Sequence, residues 1–120
     1  MAQNDVTVPF PAGFFSSAEE CSVEAWLAFL GHRWNALILY HLSLGDLRFG
    51  ELRERLPAIT AKVLTERLGE LRRVDLITRM PDDVTYAMTG LARDLMPILH
   101  SLEVWSRGLP DPRDRYSRRD

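Results

Sequence analysis

The chain has 120 residues, 46% of them hydrophobic and 27% charged, which is the composition of a single soluble globular domain with one core. The net charge is −2 and the pI about 5.9, so a uniformly basic nucleic-acid coat is excluded. The only cysteine is Cys21, which rules out an intramolecular disulfide and fits a reducing compartment.

The first fifteen residues contain Pro9, Pro11 and Gly13, which resist helix and strand. Phe10, Phe14 and Phe15 make this arm apolar enough to pack across a partner subunit, with a frayed terminus as the equal alternative. No Lys or Arg precedes Arg33, so a secretory signal with a basic start is not expected. The longest apolar run, Ala36 to Tyr40, falls far short of the ~20 residues a membrane span needs. The expected location is therefore cytoplasmic, with no membrane partner.

Ser17 and Glu20 have capping-box spacing and Ser22 is a second N-cap, which predicts a helix to about Leu30. Val23, Trp26, Leu27 and Leu30 recur along it at helical spacing, and Gly31 ends it. The next helix is expected over 34–44, with Trp34, Leu37, Ile38, Leu42 and Leu44 inward. Leu47-Arg48 has room only for a residual strand. A third helix runs from Phe49 to Leu56 and stops at Pro57. Thr60 then caps a fourth helix, Ala61 to Arg73, with Leu64, Leu68 and Leu71 as its inner stripe. Strands are expected over 76–80 and 84–88, joined by Pro81-Asp82-Asp83. Thr89 caps a long helix, about 90–107, whose apolar face is Leu91, Leu95, Ile98, Leu99, Leu102 and Trp105. After Gly108 the Pro, Asp, Arg and Ser content predicts a disordered tail. The domain plan is an arm (1–16), a folded domain (17–107) and a tail (108–120).

This order predicts a mainly α fold with a small β-hairpin, a winged helix-turn-helix. Charge is unevenly spread along it. Residues 48–79 hold eight basic groups against five acidic, and the rest of the chain holds seven against twelve. DNA affinity depends on the local footprint, since screening limits phosphate contacts to about 8–10 Å. The fourth helix would read the major groove with Thr60, Ala61, Lys62, Thr65 and Glu66. Arg48, Arg53, Arg67, Arg72 and Arg73 would hold the phosphate backbone, which positions without specifying. His32, His41 and His100 lack a shared ligand spacing, so neither a metal nor a cofactor is expected. No nucleophile–base pair or phosphate loop suggests an enzyme.

An ordered series of short motifs runs from Cys21 and Val23-Glu24 through Gly31-His32-Arg33-Trp34, Arg48-Phe49-Gly50-Glu51-Leu52 and Leu56-Pro57-Ala58-Ile59-Thr60. Lys62 to Leu68, Leu76-Ile77-Thr78-Arg79, Tyr86-Ala87-Met88-Thr89 and Trp105 complete it. The ordered set is similar to the HxlR-type transcriptional regulators, relatives of the MarR winged-helix proteins. The resemblance implies a homodimer paired through its first and last helices, here Trp26, Phe29, Leu30, Leu95, Leu99, Leu102 and Trp105. It implies double-stranded DNA with a pseudo-palindromic operator as partner, and a small-molecule or electrophile effector. Several family members sense oxidants through a cysteine equivalent to Cys21. The alternative is a dimeric ligand-binding or interaction protein on the same scaffold without DNA binding. Three departures stand out: Ser22 in place of proline, Asp75 in place of glycine, and a short wing with Asp82 and Asp83 where a basic tip is usual.

Overall fold

The computed structural model describes residues 22–117, with side chains to residue 114, so Cys21 and the N-terminal arm lie outside the described residues. The chain divides into two units, 1–37 and 38–120, at a boundary within the second helix.

In the first unit, helix α1 spans Ser22–Leu30. Gly31 follows, where a Cβ would come within 3.0 Å of the Leu27 carbonyl oxygen, so only glycine leaves this turn undistorted. Asn35 is fully buried, and its side-chain NH2 donates at 2.9 Å to the Phe29 carbonyl at the end of α1, which also accepts from the His32 amide at 3.2 Å. Trp26 meets Phe29 edge-on, and the Arg33 guanidinium lies over the Trp34 ring. Val23, Trp26 and Leu27 remain exposed.

Helix α2, Asn35–Ser43, crosses the boundary. The second unit continues with β1 (Leu47–Arg48), α3 (Phe49–Arg55), α4 (Ala61–Arg73), β2 (Ile77–Arg79), β3 (Thr85–Met88), α5 (Gly90–Ser106) and α6 (Pro112–Ser117). The strands form one antiparallel sheet in the order β1-β3-β2. The expected residual strand at Leu47-Arg48 thus becomes the third member, pairing with Tyr86 and Thr85. A lone hairpin is marginal in water, and the third strand with helices α4 and α5 against the sheet supplies what it lacks.

The core of this unit takes Ile38, Leu39 and Leu42 from α2, Leu52 and Leu56 from the α3 region, and Leu64, Leu68 and Leu71 from α4. Leu76, Ile77, Tyr86, Ala87, Met88 and Ala92 complete it from the sheet and the start of α5. Two residues expected inward on α2, Leu37 and Leu44, are exposed, while Leu39 is fully buried. The helix starts at Asn35, so positions 35, 38, 39 and 42 share its inner face at i, i+3, i+4 and i+7, and Leu37 falls outside that stripe. The tail expected to lack structure from residue 108 contains the short helix α6.

Among the described residues no helix is long and apolar enough to cross a membrane.

Candidate nucleic-acid interface

Helices α3 and α4 form the helix-turn-helix. The turn between them is closed by the Ile59 amide donating to the Leu56 carbonyl at 2.9 Å. Leu56 and Ile59 are both buried, which fixes the turn from below. Thr60 then caps α4 with extended backbone, its hydroxyl accepting from the Val63 amide at 3.1 Å. A threonine cap is worth about 1 kcal/mol over alanine. The Ala61 and Lys62 amides at this end lack carbonyl partners within the helix, so they and the helix dipole favour an anion there.

The stripe Leu64, Leu68, Leu71 is buried, and the opposite face presents Ala61, Lys62, Thr65, Glu66 and Gly69, all exposed. Lys62, Arg53 and Arg72 are exposed and Arg67 half-buried. None of these four has an ion-pair partner among the described residues. Arg73 is different, since it pairs with Glu70 one turn back at 2.8 Å on the same helix. An exposed pair of this kind adds little stability, but a phosphate must compete with Glu70 for Arg73. Arg48 sits on β1 opposite Thr85.

The far end of α4 is tied to the sheet and to α5. Asp75 adopts φ 64°, in the left-handed region that aspartate tolerates better than most residues and that glycine occupies without strain. The Thr89 hydroxyl donates to the Asp75 carbonyl at 2.6 Å and accepts from the Ala92 amide at 3.2 Å. One side chain therefore caps α5 and anchors the turn that leaves α4.

The wing is built around its two aspartates. Asp82 Oδ1 accepts from the Val84 and Thr85 amides at 3.0 and 2.9 Å, and Oδ2 from the Thr85 hydroxyl at 2.6 Å. The Thr85 hydroxyl, with the two amides, holds this carboxyl below its ordinary range. Asp83 adopts φ 66° and accepts from Arg79 at 3.1 Å. The other Arg79 terminal nitrogen donates to the Tyr86 hydroxyl at 2.9 Å. Arg79 and Tyr86 are register partners across β2 and β3. Charge counting includes Arg79 but does not show that Asp83 and Tyr86 hold it. The available signal was an Asp-Asp pair in a short hairpin loop, where aspartate commonly bonds the backbone two residues on.

Residues 29–114 match the family model described as HxlR-like helix-turn-helix. The chain belongs to this family. Among its relatives is the HTH-type transcriptional regulator YdeP of Bacillus subtilis (strain 168), 36% identical over 102 residues, covering 81% of this chain and 80% of YdeP. The quinone-bound YodB of B. subtilis superposes with a TM-score of 0.67 at 34% identity, covering 71% of this chain and 94% of YodB. The redox regulator HypR in its reduced form superposes with a TM-score of 0.69 at 32% identity, covering 79% and 99%. The fold is a winged helix, mostly helical with a small three-stranded sheet, and the relatives are DNA-binding transcriptional regulators rather than enzymes.

Proposed function

We propose that this HxlR-family chain is a homodimeric regulator that binds a pseudo-palindromic operator by inserting the N-terminal half of α4 into the major groove of each half-site. The observation that carries this reading is α4 itself: a capped helix with one buried leucine stripe and an exposed opposite face of small and polar residues. In it, Lys62 meets a guanine edge or a phosphate, Thr65 a thymine methyl or base acceptor, and Glu66 a cytosine amino group. Ala61 lets the helix end approach closely. Arg48, Arg53, Arg67, Arg72 and Arg73 steady the backbone, with Arg73 discounted for its pairing to Glu70. Work on the chromosome places the protein in the cytoplasm.

Lys62→Ala tests the reading helix. Operator affinity is expected to fall by about 1–3 kcal/mol if the contact is a guanine edge. For a phosphate contact, operator and unrelated duplexes should weaken alike, with the salt slope reduced by about one. Unchanged affinity for every duplex would remove α4 from its assigned role.

The dimer reading rests on two separate apolar faces. Helix α1 exposes Trp26 beside half-buried Phe29 and Leu30, and α5 exposes Leu102 and Trp105 beside half-buried Leu95 and Leu99. A second copy is the proposed cover for each. The 17–107 segment is the proposed DNA-binding domain.

Regulation through Cys21 is the second part of the proposal. Its support is the similarity to a quinone-bound YodB and to a redox regulator, HypR. A benzoquinone or diamide is expected to change the operator affinity of the wild type by about 5–150-fold, the usual range of coupling between two sites. Cys21→Ser should remove that response. An undiminished response in Cys21→Ser would end the cysteine-sensor reading while leaving DNA binding untouched.

A further inference from the structure

Arg79 closes β2, an edge strand of the sheet and one against which α4 packs. Its guanidinium is held between two wing partners, Asp83 on one terminal nitrogen and the Tyr86 hydroxyl on the other. These partners differ in kind. Tyr86 is a buried side chain of the central strand, so it fixes the direction of the guanidinium. Asp83 stands on the tip of the wing with its side chain 79% exposed, while the Arg79 side chain is 35% exposed. A carboxylate oxygen at 3.1 Å occupies the position on Arg79 that a phosphate oxygen would take, since both are anionic acceptors for the same N–H donors. The neighbouring Asp82 does other work, because its carboxylate is taken up by two backbone amides of the turn and by the Thr85 hydroxyl.

The geometry points to Arg79 as a DNA-phosphate contact of the wing, held in check by Asp83, which stands in for the phosphate in the free protein. The inference rests on the reading of α4 as the groove-entering helix. It turns the acidic wing from a missing contact into a muted one. Asparagine at position 83 suits the test, since it tolerates the left-handed backbone there and removes only the charge.

The experiment is a salt titration of binding to a short duplex, read by fluorescence anisotropy. It compares the wild type with Asp83→Asn, Asp82→Asn, Arg79→Ala and the Asp83→Asn/Arg79→Ala double variant. Asp83→Asn is expected to bind tighter with a log–log salt slope steeper by about 0.9, so its advantage over the wild type shrinks about 3-fold between 50 and 200 mM salt. Asp82→Asn removes the same charge from the same tip without freeing a guanidinium, and should keep the wild-type slope. The Asp83→Asn gain should vanish with Arg79→Ala. Equal slopes for the two Asn variants, or a gain that survives loss of Arg79, would overturn the proposal. Lys62→Ala in the same titration separates the two readings. If it weakens binding while Asp83→Asn changes nothing, the wing inference falls alone, and if neither changes anything, both fall.

Discussion

Leu64→Ala is expected to destabilise the chain by about 2–5 kcal/mol, the range for removing a leucine side chain from a packed interior. Leu64 is 0% exposed and lies one turn from Leu68 on the inner stripe of α4. The void it leaves faces other buried side chains rather than solvent, so little collapse can relieve it. A loss of 1 kcal/mol lowers the melting temperature of a domain this size by about 4–8 °C, so thermal unfolding followed by circular dichroism should shift by about 10 °C or more. Gly69→Ala is the control from the opposite face. A Cβ at Gly69 meets open space, and alanine is favoured over glycine within a helix by about 0.5–1 kcal/mol. That variant should melt slightly higher. Equal destabilisation by both would mean that the inner and outer faces of α4 are misassigned, and with them the reading face.

Leu102→Glu should split the proposed dimer without unfolding the chain. Ile98, Leu102 and Trp105 are 65%, 54% and 69% exposed, although they lie at i, i+4 and i+7 on one face of α5. A stripe of this size on a monomer's surface marks an interaction face. A carboxylate there costs a single chain little, because solvent still reaches it. In a dimer core it would be a buried, unpaired charge. Sedimentation should show the wild type at twice the chain mass and the variant at one. Operator affinity should fall by about 10²–10⁴-fold, since the two half-sites no longer bind as linked events. A monomeric wild type, or a dimeric Leu102→Glu that binds normally, would remove α5 from the interface.

These expectations trace the parts of the molecule that were legible in the sequence. The α4 bounds follow from Thr60 and the leucine spacing, because a polar cap beside a sharply two-faced helix leaves one register. The same holds for Thr89 and α5. Helix α2 was less legible. Its sequence, NALILYHLS, is apolar nearly all round, so periodicity alone did not select Leu39 over Leu37 for the core. Helix α6 was masked by composition, although Asp111-Pro112 carries a start signal. Proline suits a first helical position, and Asp111 accepts from the Arg113 amide at 2.8 Å. Arg113 and the amide bond together hold the Asp111 carboxyl down at about 2. In the candidate site, spacing singles out Lys62, Thr65 and Glu66 as proposed groove contacts, and the structure places them on the exposed face of α4. The wing was legible only as a sum of charges. That Asp82 bonds backbone while Asp83 bonds Arg79 depends on a turn with φ 66° at Asp83, which two adjacent aspartates do not reveal.

A hydroxyl-radical footprint on the DNA upstream of the protein's own gene reads both half-sites of the proposed dimer at once. The prediction is two protected patches on one face of the duplex, with centres about 34–36 Å or a whole number of turns apart. Lys62→Ala should weaken both patches equally. A chain that protects no position at any concentration, or protects patches separated by a fractional turn, is not a dimer reading two half-sites with α4.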